Sequence, residues 1–388
     1  MAREFFISSY LFVVKLFFTI FSKNKLQNKT VLVASFGDNI NYVRKACLEK
    51  TDDTLIVLTT SAARLKFTPS DRETNLMFEF YHPIQFIKSI YHIATAKTIF
   101  VDNYFGFLAA TTFKPEVRVI QLWHAAGAIK QFGLLDPTIQ KRSKRAHNRF
   151  KSVYRHFSDV VVGSEKMVKI FKATFDLSER QILRTGIPRT DFFFDELKSQ
   201  QAKCHIYQLY PVIKDKKVIL YAPTFRDQEI ANFNLKLDLE LLQAGLGKDY
   251  IVLLRLHPVV RSKSTHTTND FVIDVSDYPN LNELLIVSDY LISDYSSIPF
   301  EYALLNRPMI FFSYDLERYT KERGFFEDYH EQMPGPVVQS TEEIIDVIKS
   351  NTFELNKIAD FSNVWNAYSD GHSTAKLITN VYHSTTRK

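Results

Sequence analysis

Residues 287–301 read VSDYLISDYSSIPFE and contain the clearest strand-to-helix junction in the chain. The apolar run Tyr290–Ile292 predicts a buried strand, and the polar residues DYSS follow it almost directly. The two serines are residue types that begin helices, and the free amides at a helix start attract anions. A glutamate four residues later lies one turn inside that helix on the same face, where it is expected to hold a ribose hydroxyl. The residues that we expect to bind a phosphorylated ligand here are Asp294, Ser296, Ser297 and Glu301.

Similar apolar runs alternate with helical patterns along most of the chain. The runs that predict strands are Val31–Phe36, Thr54–Thr59, Thr98–Val101, Val117–Leu122, Val160–Val162, Val218–Tyr221, Ile251–Leu256, Phe271–Asp274, Tyr290–Ile292 and Met309–Phe312. This alternation predicts the α/β class, with parallel sheets covered by helices on both faces. A polar helical segment divides the series into two doubly wound, Rossmann-like halves, and a ligand cleft is expected between them. The predicted domains are an apolar helix at 1–27, an N-terminal domain at 28–195 and a C-terminal domain at 196–388.

The composition limits the chemistry that the chain can support. Its two cysteines, Cys47 and Cys204, cannot form a disulfide framework, and no cysteine or histidine spacing indicates a zinc site. No Asp-x-Asp pair is present to hold a metal, so we expect neither a metal nor a cofactor. The formal charge of +6 and the pI near 9.0 favour anionic partners.

The first 22 residues, MAREFFISSYLFVVKLFFTIFS, are strongly apolar. Lys15 interrupts the run and no small-residue cleavage site follows, which argues against a signal peptide. The same lysine near the middle makes a membrane-spanning helix costly. The polar residues fall near one face, at spacings of four and seven, which favours a helix lying in the membrane interface. A terminal helix docked on the protein core is the alternative.

Polar residues also follow three other predicted strands, where open α/β sheets bind their ligands. His124 is placed to accept a proton at neutral pH, although a histidine in such a position is more often structural. Thr224 and Arg226 are expected to contact phosphate oxygens. Arg255 and His257 alternate along one strand, so both are expected to face the same way, toward a phosphate or pyrophosphate. An ion pair with a neighbouring carboxylate explains the arginine equally well.

Two further segments supply candidate residues of the acceptor side or the cleft. In QLWHAAGAIKQFG, Gly127 and Lys130 follow the histidine, and the small residues between allow a substrate to approach. In GIPRTD, Arg189 and Asp191 either line the cleft or brace the hinge between the halves, and bracing is the simpler interpretation.

Residues 141–155, KRSKRAHNRFKSVYR, form a basic run. Few aromatic residues of the kind that stack on bases are interleaved with the charges, so nucleic acid is not favoured as a partner. An anionic membrane surface or a lipid diphosphate fits better beside the apolar N-terminus. A solvated helix face is the simplest alternative.

Six segments occur in a characteristic order between Leu122 and Ile378. They are LWHAAGAIKQFG, TGIPRTDFF, ILYAPTFRD, LRLHP, SDYLISDYSSIPFEYALLNRPMIFFSYDLERYTKERGFFEDY and YSDGHSTAKLI. Each is a weak signal alone, but the ordered set resembles the CDP-glycerol glycerophosphotransferase family of wall teichoic acid synthesis.

The resemblance implies a GT-B fold, in which the C-terminal domain holds the cytidine nucleotide and the acceptor approaches the N-terminal domain. It implies that His124 is the base, that His257 lies at the donor pyrophosphate, and that Asp294–Ser297 bind phosphates. The implied reaction transfers glycerol phosphate from CDP-glycerol to an undecaprenyl-diphosphate-linked N-acetylmannosaminyl-N-acetylglucosamine, with release of CMP. The enzyme is expected on the cytoplasmic face of the bacterial membrane as a peripheral protein, and the sequence also allows a homo-oligomer.

The length of the chain, with little beyond a GT-B core, indicates the priming enzyme rather than a polymerase. A glycerol- or ribitol-phosphate polymerase is the nearest alternative, followed by a transferase that uses a nucleotide sugar. A non-catalytic protein that binds a membrane or nucleic acid through the basic run is the alternative of another class. It leaves the ordered strand-end motifs unexplained.

Overall fold

The computed structural model describes residues 2–61, 63, 65, 67–226, 234–257, 260 and 269–383. Two motif positions, Asp227 and Pro258, lie outside the described residues. The chain divides into two compact units. Unit 1 comprises Met1–His124, Phe132–Asp191 and Tyr368–Lys388, and unit 2 comprises Ala125–Gln131 and Phe192–Ala367.

Unit 1 contains a parallel sheet of seven strands among the described residues, in the order β3-β2-β1-β4-β5-β6-β7. The strands are β1 (Gln27–Ala34), β2 (Thr54–Thr59), β3 (Glu73–Met77), β4 (Ala96–Val101), β5 (Arg118–Gln121), β6 (Asp159–Val161) and β7 (Ile182–Leu183). The interior strand β1 is buried on both faces, since Val31, Leu32, Val33 and Ala34 are at most 1% exposed. A continuous apolar run of this kind is typical of a parallel sheet with helices on both sides.

Unit 2 contains a second parallel sheet, in the order β10-β9-β8-β11-β12-β13. Its strands are β8 (Lys217–Tyr221), β9 (Tyr250–Leu254), β10 (Val272–Asp274), β11 (Tyr290–Ser293), β12 (Met309–Phe312) and β13 (Val337–Val338). In both sheets the strand order reverses beside the first strand, between β1 and β4 and between β8 and β11. Such switch points are where doubly wound sheets bind ligands.

Helices connect the strands of both sheets. In unit 1 they are α1 (Ala2–Phe21), α2 (Asp38–Lys50), α3 (Pro83–Thr95), α4 (Lys144–Tyr154) and α5 (Glu165–Phe175). In unit 2 they are α6 (Glu196–Leu209), α7 (Leu239–Leu246), α8 (Leu281–Val287), α9 (Ile298–Tyr302), α10 (Leu316–Arg323), α11 (Tyr329–Gln332), α12 (Thr341–Ser350) and α13 (Leu355–Trp365). The last helix, α14 (Ser373–Ile378), returns to unit 1.

The α/β class and the two doubly wound sheets confirm the predicted fold class. Strands β3, β7 and β13 were not predicted from the sequence. The sequence ETNLM of β3 is largely polar, and its buried Glu73 is held by an ion pair with Arg44, 2.7 Å between Oε2 and Nη2. Burial of a paired charge is a tertiary effect that a search for apolar runs misses.

The C-terminal segment of the chain belongs to a different unit from the one that the sequence indicated. Residues 368–388 were grouped with the C-terminal domain at 196–388, whereas the structure groups Tyr368–Lys388 with unit 1. Two contacts explain this, because the Tyr382 hydroxyl lies 2.5 Å from Thr30 Oγ1 and 3.6 Å from Cys47 Sγ. Both partners belong to the core of unit 1, on β1 and α2.

Helix α1 packs on unit 1 with one side and leaves a large apolar side exposed. Val14 and Phe18 are buried, at 1% and 3% exposure, and the Phe18 ring lies 5.2 Å from that of Phe113. The exposed apolar side consists of Phe5, Phe6, Phe12, Leu16 and Ile20. The segment Glu4–Phe21 is long and apolar enough to cross a membrane by length and composition. Helix α1 therefore packs on unit 1 with one side and exposes an apolar surface on the other.

Candidate active site

His124 follows β5 in unit 1 and is held in a defined orientation. Its Nδ1 lies 3.3 Å from the carbonyl oxygen of Asp102, the residue after β4. A carbonyl only accepts hydrogen bonds, so this contact assigns a proton to Nδ1, and in the neutral imidazole the lone pair then lies on Nε2. The imidazole also stacks on the ring of Phe36, with 4.4 Å between centroids, and lies 4.4 Å from the ring of Trp123. A neutral imidazole in a fixed tautomer is suited to act as a general base.

The carboxylate of Asp102 occupies the switch point between β1 and β4. Its Oδ1 accepts the backbone N–H of Ser35 at 2.8 Å, and its Oδ2 accepts those of Phe36 at 3.0 Å and Gly37 at 2.8 Å. The side chain is almost completely buried, and burial raises the pKa of Asp102 to about 6 although the three amides act to lower it. This carboxylate was not among the residues predicted from the sequence, although it directly follows a predicted strand.

Two buried amide side chains fix the backbone beside His124. Gln121 Oε1 accepts the N–H of Trp123 at 2.8 Å, and Asn39 Nδ2 donates to the carbonyl of Trp123 at 3.0 Å. Trp123 has a φ of 57°, which is unfavourable for a bulky residue. The two amides therefore hold a strained residue that aims the adjacent histidine.

Arg189 and Asp191 of the GIPRTD turn make bracing contacts within unit 1. The backbone N–H of Arg189 donates to Asn39 Oδ1 at 3.0 Å, and its Nη1 lies 3.6 Å from Asp38 Oδ2. Asp191 accepts the backbone amides of Ser373 at 2.8 Å and of Thr374 at 2.9 Å, which are the first residues of α14. These contacts support the bracing interpretation of both residues.

Gly186 in the same turn is a position where a side chain is expected to destabilise unit 1. Its φ is +80°, and an added Cβ would lie 2.3 Å from Ser373 Oγ and 2.5 Å from the Tyr368 carbonyl oxygen. We expect Gly186→Ala to lower the free energy of unfolding by roughly 1–3 kcal/mol, through strain and overpacking. Urea unfolding measures this. Gly106→Ala is the control, because its Cβ would meet only Tyr104 at 3.9 Å, and equal losses in both variants would contradict the argument.

Gly127 and Lys130 belong to unit 2, where both make packing contacts. An added Cβ on Gly127 would lie 2.5 Å from Phe300 Cδ1, so the glycine allows the segment to pack on that ring. Lys130 Nζ lies 3.3 Å from the hydroxyl of Tyr319 on α10. The contact with an acceptor that the sequence suggested for these two residues stays a prediction.

Arg226 lies at the centre of a buried ionic cluster in unit 2. Its Nε and Nη2 donate to the two carboxylate oxygens of Asp315, both at 2.9 Å, and its Nη1 lies 3.1 Å from Asp294 Oδ2. Nη1 also donates to the carbonyl of Thr224 at 2.6 Å. The guanidinium lies over the ring of Tyr319, 4.7 Å from its centroid. Arg226 therefore joins the loops after β8, β11 and β12. Its guanidinium is buried among these loops and holds them in position.

Asp294 and Thr224 meet at the switch point between β8 and β11. Asp294 Oδ1 accepts the backbone N–H of Thr224 at 2.9 Å, and the Asp294 carbonyl accepts the hydroxyl of Tyr329 at 2.8 Å. The Thr224 hydroxyl is buried and has no hydrogen-bond partner among the described residues. A buried hydroxyl without a partner is costly, and a ligand oxygen would satisfy it.

The segment after Asp294 differs from the sequence expectation in two respects. Ser296 Oγ accepts the backbone N–H of Ile298 at 3.0 Å, and α9 then runs for only five residues with Pro299 in its first turn. So short a helix has little dipole with which to hold an anion. Glu301 is 1% exposed, so it lies inside unit 2 whereas Ser296 and Ser297 are half-buried.

Arg255 and His257 do not alternate on a strand, because β9 ends at Leu254. Arg255 Nη1 donates to the carbonyl of Tyr278 at 2.7 Å, on the β10 side. The His257 ring lies 4.4 Å from that of Phe225, on the β8 side. Both residues lie at the carboxyl edge of the sheet, past the end of β9, so the expectation that they alternate along the strand is wrong. Their common orientation toward a phosphate stays a prediction.

The residues missed by sequence reasoning, Asp102 and Asp315, are both carboxylates that follow strands. The rule that selected His124 and Asp294 selects them too. No group of three or more metal-ligating side chains occurs within the described part of the chain.

Comparison with known proteins assigns the family. A model described as CDP-Glycerol:Poly(glycerophosphate) glycerophosphotransferase matches residues 16–383. The chain is 38% identical over 361 residues to a teichoic acid glycerol-phosphate primase of Bacillus spizizenii, covering 92% of this chain and 93% of the primase. It is 38% identical over 325 residues to a teichoic acid poly(ribitol-phosphate) polymerase of the same organism, covering 79% of this chain and 51% of the polymerase.

Comparison with solved structures agrees with this family. The structure of a histidine-to-asparagine variant of the wall teichoic acid polymerase TagF superposes with a TM-score of 0.81, covering 99% of this chain and 97% of that chain at 23% identity. This likeness confirms the GT-B fold. The family match covers nearly the whole chain, including both switch points and every candidate residue above. The chain therefore belongs to the CDP-glycerol glycerophosphotransferase family and is an enzyme of teichoic acid synthesis that transfers glycerol phosphate from CDP-glycerol.

Proposed function

We propose that this enzyme primes a teichoic acid chain by adding one glycerol phosphate to a lipid-linked N-acetylmannosaminyl-N-acetylglucosamine. The observation that supports priming is the extent of the similarity, which covers 93% of a glycerol-phosphate primase but 51% of a poly(ribitol-phosphate) polymerase. The lipid that carries the disaccharide is an undecaprenyl diphosphate, whose negative charge suits the basic protein.

In the proposed reaction, the oxygen of an acceptor hydroxyl attacks the β-phosphorus of CDP-glycerol. The bond between that phosphorus and the bridging oxygen breaks, and CMP leaves with the electron pair. Nε2 of His124 takes the hydroxyl proton, because the carbonyl of Asp102 fixes the other proton on Nδ1. In-line transfer of this kind depends on positioning and on stabilising the charge of the phosphate oxygens.

The donor is assigned to the loops after β8, β9 and β11 in unit 2. Thr224 contributes a buried hydroxyl that lacks a partner among the described residues. Ser296 and Ser297 are half-buried at the carboxyl edge of the same sheet. Arg255 and His257 lie at that edge as well, and we assign them to the pyrophosphate oxygens.

Release of CMP tests the donor and the reaction together. Purified enzyme is incubated with the lipid-linked disaccharide and, in separate reactions, with CDP-glycerol, CDP-ribitol or a UDP-sugar. The proposal expects acceptor-dependent CMP release from CDP-glycerol and much slower release from CDP-ribitol. Faster release from CDP-ribitol would assign a ribitol enzyme, and release of UDP would assign a sugar transferase.

We also propose that α1 attaches the enzyme to the cytoplasmic face of the membrane as a peripheral protein. The helix adjoins a second exposed apolar group, Phe80, Tyr81 and Ile84, since the rings of Phe80 and of Tyr10 on α1 both pack on Phe86. The basic helix α4 adjoins α1 through an ion pair between Arg149 and Glu4. Apolar side chains beside exposed cations are typical of a helix that binds an anionic interface.

Vesicle binding tests this attachment. Replacing Phe5, Phe6 and Phe12 together by serine is expected to weaken binding to phosphatidylglycerol vesicles at least about tenfold, because each ring loses its apolar burial. Phe194→Ser with Leu197→Ser is the control, since these residues of unit 2 are also exposed. Equal binding of the triple variant and the wild type in a flotation assay would contradict attachment through α1.

A further inference from the structure

Asp102 is a buried carboxylate at the switch point of unit 1, next to the proposed base. Its side chain is 1% exposed, and both of its carboxylate oxygens are taken up by backbone amides of the segment that follows β1. Doubly wound sheets often bind a ligand phosphate with the amides of this loop. Here the protein fills that position with a carboxylate of its own.

Asp102 reaches His124 by two separate routes. Its main-chain carbonyl accepts from Nδ1 of the imidazole, which selects the tautomer. Its carboxylate holds Ser35, Phe36 and Gly37, and the Phe36 ring stacks on the imidazole at an interplanar angle of 21°. Gly37 adopts a φ of 95°, which glycine allows because it has no Cβ, and the Asp102 carboxylate accepts its N–H in this conformation.

We infer that Asp102 is a positioning residue for His124, orienting the imidazole through the Ser35–Gly37 loop and through its own carbonyl. The inference rests on the proposed role of His124 as the base. The carboxylate makes no contact with substrate in this account. It acts by keeping Nε2 aimed at the acceptor hydroxyl, and a misplacement of about 1 Å at such a position costs roughly 100-fold in rate.

Asp102→Asn is the decisive variant because it preserves the shape of the side chain. Its amide group offers one oxygen, so one or more of the three backbone N–H groups faces an NH₂ donor and loses its acceptor. We expect kcat for transfer to fall about 100-fold while KM for CDP-glycerol stays nearly constant. Phe36→Leu is the second variant, because it removes the stacking ring and leaves the carboxylate in place; a fall in kcat is expected here too.

A double-mutant cycle with His124→Ala separates positioning from a general structural role. If Asp102 acts through the imidazole, Asp102→Asn has no further effect on the residual rate once His124 is alanine. A structural role predicts the same loss in both backgrounds. Asp159→Asn is the control, since Asp159 is another fully buried carboxylate of this sheet but lies at the amino end of β6, paired with Arg118; its kcat is expected to match the wild type.

The outcomes distinguish this inference from the proposed function. A folded Asp102→Asn enzyme with wild-type kcat would overturn the inference, and so would equal losses of kcat with and without His124. In either case the proposed function still stands if the wild type transfers glycerol phosphate and His124→Ala is inactive. Full activity of His124→Ala would reject the proposed base, and the positioning role with it.

Discussion

Replacing His124 by alanine is expected to lower kcat for glycerol phosphate transfer by about 100- to 10,000-fold, the range that a general base contributes. The structure gives the reason, because the ring is held in one tautomer by the Asp102 carbonyl and in one orientation by Phe36 and Trp123. The change removes the group that accepts the hydroxyl proton in the transition state. KM for CDP-glycerol is therefore expected to change little.

Steady-state kinetics with the lipid-linked acceptor measure both constants. His92→Ala is the matched control in unit 1, since that histidine lies at the other end of the sheet, with its Nδ1 3.2 Å from Nζ of Lys29 near the start of β1. Its folded variant is expected to keep wild-type kcat. Parallel losses of turnover and donor affinity in His124→Ala would show that the histidine binds the donor and is not the base.

The second large effect is expected from Arg226→Met, which removes the cation between Asp294 and Asp315. All three side chains are at most 8% exposed, so both carboxylates would be left buried without their partner. Breaking a buried ion pair by removing one member costs roughly 3–5 kcal/mol. The loops after β8, β11 and β12 lose their common anchor at the same time, so KM for CDP-glycerol is expected to rise.

The loss of stability is expected to depend on pH. Burial acts to raise the pKa of Asp315, but hydrogen bonds from Arg226 and Arg318 hold it below its ordinary value. A carboxyl with a lowered pKa in the folded state stabilises the protein above its unfolded pKa, and this contribution is lost as the pH falls through the folded value. The difference between wild type and Arg226→Met is therefore expected to be largest near neutral pH and to shrink below the ordinary aspartate pKa.

Urea unfolding over a range of pH measures this difference. Arg184→Met is the matched control, because Arg184 also pairs with two carboxylates, Glu165 and Glu179, but all three side chains are at least 35% exposed. Its stability is expected to change little. A loss in Arg226→Met no larger than in this control would contradict the buried cluster.

Much of the fold and the position of the site follow from apolar runs and the polar residues after them. His124, Thr224 and Asp294 were found this way, because strands of a parallel sheet end at the same edge and ligands bind there. The positions of strands in the sequence do not show whether a polar side chain after a strand contacts a ligand or another side chain. Arg226 illustrates the limit, since its partner Asp315 lies 89 residues away in sequence.

The remaining differences have tertiary causes as well. Arg255 and His257 were expected to alternate along one strand, but β9 ends at Leu254, three residues before His257. The C-terminal segment was assigned by chain order, whereas Asp191 and Thr30 hold it on unit 1. Asp102 was overlooked although the same rule selects it, because its role depends on contacts with a loop 65 residues earlier in the chain.

The mass of the lipid product tests the priming function most directly. The purified enzyme is incubated with excess CDP-glycerol and the lipid-linked disaccharide, and the lipid is weighed by mass spectrometry while CMP is quantified. Addition of a single glycerol phosphate, with one CMP released for each acceptor consumed, is the expected result. A ladder of products extended by successive glycerol phosphates would contradict priming and identify a polymerase.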